Sequence, residues 1–162
     1  MTNLDGDVEE ILYFAISREI EANVFYNLLS QYIEDAQVKA ICDEFAIEEL
    51  EHKARLELEI MKLGNVVKPL AGSGRPGRAA GRPLDYMMDM AKAMQLNLPG
   101  LILLAMEKEK VSFRLYIDLL AMVEDKQSRQ TILELAEEEA RHKMRFEIEY
   151  DRLLARQQGP PT

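Results

Sequence analysis

Two short motifs in this chain carry residues suited to metal chemistry. Glu49 and His52 are spaced Glu-x-x-His, and Glu139 and His142 repeat that spacing ninety residues later. The chain has only two histidines, and each of them closes one of these motifs. On an α-helix, a spacing of three residues places both side chains on one face, one turn apart. Each motif can therefore offer a carboxylate and an imidazole to one metal ion, provided that it lies on a helix.

Four segments of the chain have the apolar spacing of amphipathic helices. Apolar residues recur every three or four positions along about 5–33, 36–63, 97–123 and 125–155. Each of these apolar seams is expected to face a common core. Carboxylate or imidazole side chains interrupt the seams at six positions, which are Glu19, Glu49, His52, Glu109, Glu139 and His142. The residues with chemical potential therefore lie on the predicted inner faces.

The two halves of the chain are an internal repeat. An offset of ninety residues aligns Glu19 with Glu109 as well as the two Glu-x-x-His motifs. The short connections at 33–36 and 123–126 make each half an antiparallel hairpin, and segment 64–96 is long enough to run the length of a helix. We predict an all-α, ferritin-like four-helix bundle that forms a single domain over residues 1–162. Its crossover at 64–96 is expected to contain a Gly/Pro-rich basic loop at 68–85 and a short helix at 86–96.

A buried ring of four carboxylates and two imidazoles requires compensating charge. One isolated buried carboxylate costs several kcal/mol, and four together also repel one another. The carboxyl groups could take up protons, as close carboxylate pairs do. Alternatively, two divalent cations could cancel the four negative charges and bind all six side chains. This oxygen and nitrogen set suits iron, manganese or zinc, and the constant offset of the repeat favours a two-metal site over polar residues on exposed faces.

The sequence resembles the ferritin-like superfamily, and specifically the rubrerythrin-like diiron carboxylate proteins. The stretches that carry the resemblance are AISREIEANVFY, AIEELEHKARLE, AMEKEKVSFRLY and LAEEEARHKMRFE, one from each main helix. The resemblance implies that Glu49 and Glu139 bridge two metal ions. It further implies that one ion is completed by Glu19 and His52, and the other ion by Glu109 and His142.

Four further residues are candidates for supporting roles around these ligands. Glu48 and Glu138 each precede a bridging glutamate, and they could either hydrogen-bond the histidines or be exposed helix charges. Tyr26 and Tyr116 lie two turns beyond Glu19 and Glu109. As candidate catalytic residues they could hydrogen-bond a ligand or relay an electron, and plain core packing is an equal alternative.

Three departures from related families restrict what the resemblance implies. Cys42 is the only cysteine, so the rubredoxin-type iron site of full-length rubrerythrins cannot form, and we interpret Cys42 as a buried apolar residue. Ser112 stands where rubrerythrins have an extra glutamate, which puts peroxidase chemistry by their route in doubt. Leu50 stands where bacterioferritins have a haem-binding methionine, so no haem is expected.

Three functions follow from the resemblance and the predicted site. The first is a diiron oxidoreductase that reduces peroxide or O₂ with electrons from an external donor. The second is a ferritin-type protein that binds and oxidises iron, and the third is a bundle with a structural metal. A homodimer or larger homo-oligomer is expected from the family. The net charge of −9 disfavours nucleic acid, and the absence of signal-peptide and membrane-span patterns fits a cytoplasmic protein.

Overall fold

The computed structural model describes residues 4–64, 67 and 95–159. The described residues form four α-helices and no β-strand. The helices are α1 (Leu4–Tyr32), α2 (Ala36–Lys62), α3 (Leu98–Met122) and α4 (Lys126–Gln157). The all-α prediction is confirmed, and no end of the four main predicted helices differs from the observed one by more than two residues. None of these helices is long and apolar enough to cross a membrane.

The helices form two hairpins that pack side by side. Three-residue connections at 33–35 and 123–125 return the chain, so that α1 packs mainly on α2 and α3 mainly on α4. Additional contacts join α1 to α3 and α2 to α4. The loop predicted at 68–85 lies outside the described residues. The short helix predicted at 86–96 also lies outside them, except that residues 95 and 96 are in a turn.

The ends of the helices are defined by capping residues. Asp35 accepts hydrogen bonds from the backbone N–H groups of Gln37 and Val38 at 3.1 and 3.0 Å, and thereby caps the N-terminus of α2. At the equivalent position before α4, Asp125 accepts from the N–H of Ser128 at 2.8 Å. Asn97 caps α3 in the same way. These caps satisfy N–H groups that have no partner within the first turn of a helix.

The core consists of two apolar clusters that occupy opposite ends of the bundle. One cluster includes Phe25, Phe45 and Phe146, and the other includes Leu12 and Leu135. The six polar seam residues are buried at the level between the two clusters. The predicted seams are therefore largely buried as expected.

Leu63, the last apolar seam position of the helix predicted over 36–63, is not in the core. Leu63 is 37% exposed, because it follows the last residue of α2 and precedes Gly64, where the chain leaves the helix with a positive φ of 82°. At that position the helical periodicity no longer directs the side chain inward. Cys42, by contrast, is fully buried, and burial raises the pKa of its thiol to about 12, so it is an inert core residue at neutral pH.

The two aspartate caps allow a matched test of helix-end stabilisation. Asp35 also accepts a hydrogen bond from Arg152 of α4 at 2.9 Å. We expect Asp35→Ala to lower the free energy of unfolding by about 1 to 2 kcal/mol, because it removes both the cap and this ion pair. Asp125→Ala should produce a smaller decrease. Urea unfolding followed by circular dichroism measures both, and equal decreases would show that the Arg152 pair contributes nothing.

Candidate metal centre

Each helix contributes to a buried polar cluster at mid-height in the bundle. Glu19 comes from α1 and Glu109 from α3, whereas α2 and α4 each contribute one Glu-x-x-His pair. Because the helical repeat places residues three apart on one face, each pair points into the bundle from a single turn. Every residue of the cluster is 3% exposed or less, and its members are Glu19, Glu49, His52, Glu109, Glu139 and His142.

The cluster divides into two overlapping groups, each able to surround one ion. In the first group, ligand atoms of Glu19, Glu49, His52 and Glu139 all lie within 4.8 Å of one another. The second group has the same compactness and consists of Glu49, Glu109, Glu139 and His142. The residues common to both groups are Glu49 and Glu139. The structure thus brings all six predicted ligands together, with these two carboxylates in the shared position.

The imidazoles present the same nitrogen to the centre of the cluster. Nδ1 of His52 lies 2.9 Å from a carboxylate oxygen of Glu139 and 3.1 Å from one of Glu49. Nδ1 of His142 lies 3.2 Å from Glu49 and 3.5 Å from Glu109. In both rings, Nδ1 is therefore the atom positioned to bind a metal ion.

The opposite nitrogen of each ring is held by a glutamate on another helix. Nε2 of His52 lies 2.6 Å from Glu138 of α4, and Nε2 of His142 lies 2.6 Å from Glu48 of α2. A carboxylate can only accept, so Nε2 carries the proton and donates it. This bond sets the tautomer in which Nδ1 has a free lone pair for a metal. Glu48 and Glu138 thus contact the histidines, as the first of their two interpretations expects.

The two tyrosines hydrogen-bond across the bundle. Tyr26 of α1 donates to Glu109 of α3, and Tyr116 of α3 donates to Glu19 of α1. Burial, together with the charge of Glu109 for Tyr26 and of Glu19 for Tyr116, holds the pKa of each phenol well above its ordinary value. Both phenols therefore remain protonated donors. Each tyrosine hydrogen-bonds the seam glutamate of the other hairpin, a partner that sequence spacing does not identify.

Burial and mutual repulsion dominate the electrostatics of the cluster. They raise the pKa of Glu49 and of Glu139 well above the ordinary carboxyl value. Burial by itself would lower the pKa of His142, but Glu109, Glu139 and Glu48 raise it to about 8. Without metal, the cluster therefore compensates its negative charge by holding protons.

The donor set fits a pair of divalent cations. Within the described residues, four buried polar atoms of the cluster have no hydrogen-bond partner: Oε1 of Glu49, Oε2 of Glu109, Oε1 of Glu139 and Nδ1 of His142. Unpartnered polar atoms are rare in protein interiors because each one loses its hydration. All four atoms belong to the second group, and those of Glu49 and Glu139 belong to the first group as well. They are of the types that bind iron, manganese or zinc.

Two residues near the cluster were not assigned a role by sequence analysis. Arg55 donates to both carboxylate oxygens of Glu138 at 3.1 Å. Phe45 stacks on the ring of His142, with centroids 3.8 Å apart and an interplanar angle of 21°. Arg55 recurs as Arg145 in the repeat, and this recurrence could have marked Arg55 as a candidate from the sequence. Phe45 has no such signal, because its repeat equivalent is Leu135.

A family model decides the relationship to known proteins. The model for rubrerythrin matches residues 10–150. The chain belongs to the rubrerythrin family. No curated protein sequence matches it significantly. The predicted resemblance is thereby confirmed, and with it the ferritin-like class of fold.

Solved structures with a similar fold cover nearly all of this rubrerythrin-family chain. A hypothetical protein from Pyrococcus furiosus has 28% identity and a TM-score of 0.70, with 95% of this chain and 94% of that chain covered. The bacterioferritin-related protein of Bacteroides fragilis, described as a dodecameric thioferritin, has 17% identity, a TM-score of 0.70 and coverage of 96% and 93%. Ferritin-like, diiron-carboxylate proteins from Bacillus anthracis have 16% identity, a TM-score of 0.65 and coverage of 95% and 99%. The last two similarities support the fold alone.

The protonation of the metal-free cluster predicts a pH-dependent stability. His142 has a pKa of about 8 in the folded protein, against an ordinary value of 6.5. The resulting stabilisation is complete below about pH 6.5 and is lost as the pH rises through about 8. The raised pKa values of Glu49 and Glu139 act in the same direction. We expect the free energy of unfolding of chelator-treated protein to fall by on the order of 2 kcal/mol between about pH 6 and pH 9.

Urea unfolding at several pH values measures this decline. The matched control is His142→Gln, in which the side chain cannot titrate, and the decline should become shallower. A free energy of unfolding that rises over the same pH range in the metal-free wild type would contradict the prediction.

Proposed function

We propose that the buried cluster holds two metal ions and that the protein is a diiron carboxylate oxidoreductase. The observation that carries this proposal is the pair of overlapping ligand groups. Glu49 and Glu139 belong to both groups, so they are the natural bridging ligands. Glu19 and His52 complete one position, while Glu109 and His142 complete the other. Membership of the rubrerythrin family supports iron as the native metal, with manganese or zinc as the alternatives.

The proposed reaction is the reduction of peroxide or O₂ with electrons from an external donor. When bound, paired iron ions supply a two-electron couple through Fe(II) and Fe(III) and a Lewis acid for the O–O unit. Tyr26 and Tyr116 hold Glu109 and Glu19 in position by hydrogen bonds from across the bundle. A cleft of about 410 Å³ between α3 and α4 supports access by a small oxidant, because Glu109 and Glu139 are among its lining residues.

Metal content tests the assignment of the ligands. Glu49→Ala and Glu139→Ala should each lower the metal content below two ions per chain, because each removes a carboxylate shared by both positions. Glu51→Ala is the matched control, since Glu51 lies on α2 but is exposed. Iron, manganese and zinc are quantified in protein purified without chelator. Two ions per chain in either bridging variant would refute the ligand assignment.

Rapid mixing tests the reaction itself. The anaerobic Fe(II)-loaded protein is mixed with H₂O₂ or with O₂, and oxidation is followed by stopped-flow absorbance. We expect faster oxidation by H₂O₂ and repeated turnover when a reductant is supplied. The fold similarity to a protein described as a thioferritin motivates the main alternative, an iron-oxidising protein. Accumulation of many irons per chain would favour that alternative, whereas retained zinc without oxidation would favour a structural metal.

We also propose that the protein assembles as a homo-oligomer through α2. The outward face of α2 carries four large apolar side chains that are 48–63% exposed, namely Ile47, Leu50, Leu58 and Met61. Their spacing places these side chains on one stripe of the helix, and exposed apolar surface of this kind is typical of an interaction site. The ninety-residue repeat places Glu137 and Asp151 on α4 at the positions of Ile47 and Met61. The dodecameric state described for the Bacteroides fragilis protein supports a second copy of the chain as the occupant.

Light scattering coupled to size-exclusion chromatography tests this interface. The double variant Leu50→Glu/Leu58→Glu should reduce the assembly to monomers, because it introduces two charges into the apolar stripe. Ile148→Glu serves as the control, since Ile148 is equally exposed but lies on α4. A wild-type protein that is monomeric at micromolar concentration, or an assembly unchanged in the double variant, would refute the proposed interface.

A further inference from the structure

The two halves of the cluster have identical ligands but different surroundings. The repeat relates Glu19 and His52 to Glu109 and His142, so the ligand types at the two metal positions are the same. We propose that the two positions are nevertheless inequivalent, and that the first metal ion occupies the position formed by Glu109 and His142. The proposal rests on the two-metal site of the preceding section. It assigns Arg55 and Phe45 as the positioning residues that make the two halves differ.

On the His52 side, Arg55 hydrogen-bonds the carboxylate of Glu138, which supports the histidine. Glu138 accepts the Nε2 proton of His52 at 2.6 Å through Oε2. Nη1 of Arg55 lies 3.1 Å from both oxygens of the same carboxylate. Nη2 of Arg55 also lies 3.5 Å from Glu134. Glu138 therefore divides its acceptor capacity between His52 and Arg55, and Nη2 of Arg141 also lies 3.8 Å from it.

On the His142 side, the equivalent arginine is directed elsewhere. Glu48 accepts the Nε2 proton of His142 at the same distance of 2.6 Å. Arg145, the repeat equivalent of Arg55, pairs instead with Glu44 at 2.8 Å. Its guanidinium carbon lies 5.3 Å from the centre of the Phe45 ring, which is a cation–π distance. Arg145 thus contacts Glu44 and Phe45, where Arg55 contacts Glu134 and Glu138.

The two halves differ at Phe45, and also at Glu51, whose repeat equivalent Arg141 lies near Glu138. Phe45 corresponds to Leu135 in the other half, and an aliphatic side chain offers no aromatic face to a guanidinium. The Phe45 ring contacts both groups, because it stacks on His142 and has the Arg145 guanidinium over it. It therefore fixes the plane of the His142 ring in addition to holding the arginine.

The difference has a direct consequence for metal affinity. A carboxylate that accepts the remote N–H of a histidine increases the electron density at the nitrogen that binds the metal. Two hydrogen bonds from Arg55 withdraw charge from Glu138 and weaken this effect on His52. The positive charge of Arg55 also opposes a cation at the nearer position. Changes in such supporting contacts typically alter metal affinity by about 10- to 100-fold, and we expect roughly a tenfold preference for the Glu109/His142 position.

The measurement that tests this inference is which of the two positions the first metal ion occupies. The number of binding steps does not test it. Two metal ions that share carboxylate ligands repel each other. They therefore bind one after the other even if the two positions are equivalent. We therefore propose crystals of chelator-treated protein loaded with one equivalent of Co²⁺ per chain. Anomalous scattering then gives the occupancy of each position separately. The expected result is roughly tenfold higher occupancy at the Glu109/His142 position.

Two arginine variants form a matched pair for the same experiment. Arg55→Ala releases Glu138 and should bring the two occupancies close to equality. Arg145→Ala removes the repeat equivalent, which contacts Glu44 instead of Glu48, and should leave the wild-type preference unchanged. Proton NMR of the same Co²⁺ samples provides a solution measurement. A histidine bound through Nδ1 retains its Nε2 proton, so each occupied position should give one strongly shifted exchangeable signal.

The possible results separate the inference from the function on which it rests. Equal occupancy in the wild type, or a preference for the Glu19/His52 position, would overturn the inference and leave the two-metal site intact. An equal response to Arg55→Ala and Arg145→Ala would overturn the role given to Arg55. Failure of Co²⁺ to bind at the six side chains would overturn the two-metal site itself.

Discussion

The burial of four carboxylates at one level of a helical bundle is the constraint on which the rest of the structure depends. Two apolar clusters close the bundle above and below this level, so little water reaches the charges. The donors that the chain provides are two imidazoles and two phenols. These donors still leave oxygens of Glu49, Glu109 and Glu139 without a partner. The metal-free fold therefore retains protons that a pair of divalent cations can replace.

The same constraint joins the two hairpins. Within each hairpin the helices pack along their apolar seams, whereas the polar layer is held by bonds that run between hairpins. Tyr26 and Tyr116 connect α1 with α3, and the bonds from His52 to Glu138 and from His142 to Glu48 connect α2 with α4. Every one of these bonds orients a predicted ligand. The ligand geometry and the docking of the hairpins are consequently one structural feature.

Helical periodicity explains why so much of this arrangement is predictable from sequence. A period of 3.6 residues converts sequence position directly into a face of a helix, so a glutamate in an apolar seam such as Glu19 must be buried. Periodicity does not determine which helix a long side chain reaches. The spacing of Tyr26 and Tyr116 therefore does not indicate which glutamate each one reaches, and the contact of Arg55 with Glu138 was not predicted. Leu63 is exposed although it belongs to a predicted seam, because helical periodicity no longer sets the direction of a side chain after the last residue of α2.

The internal repeat keeps the ligand residues identical in both halves, whereas the residues around them differ. Each ligand must meet a shared centre, and a change in length or charge there would leave another carboxylate uncompensated. A residue one layer further out only has to fill its space, which either Phe45 or Leu135 does in its own half. In the proposed assignment, such a substitution changes which partner an arginine selects, and this alters the electron density on a histidine that the substitution does not replace. A symmetric set of ligands is therefore compatible with two electronically different metal positions.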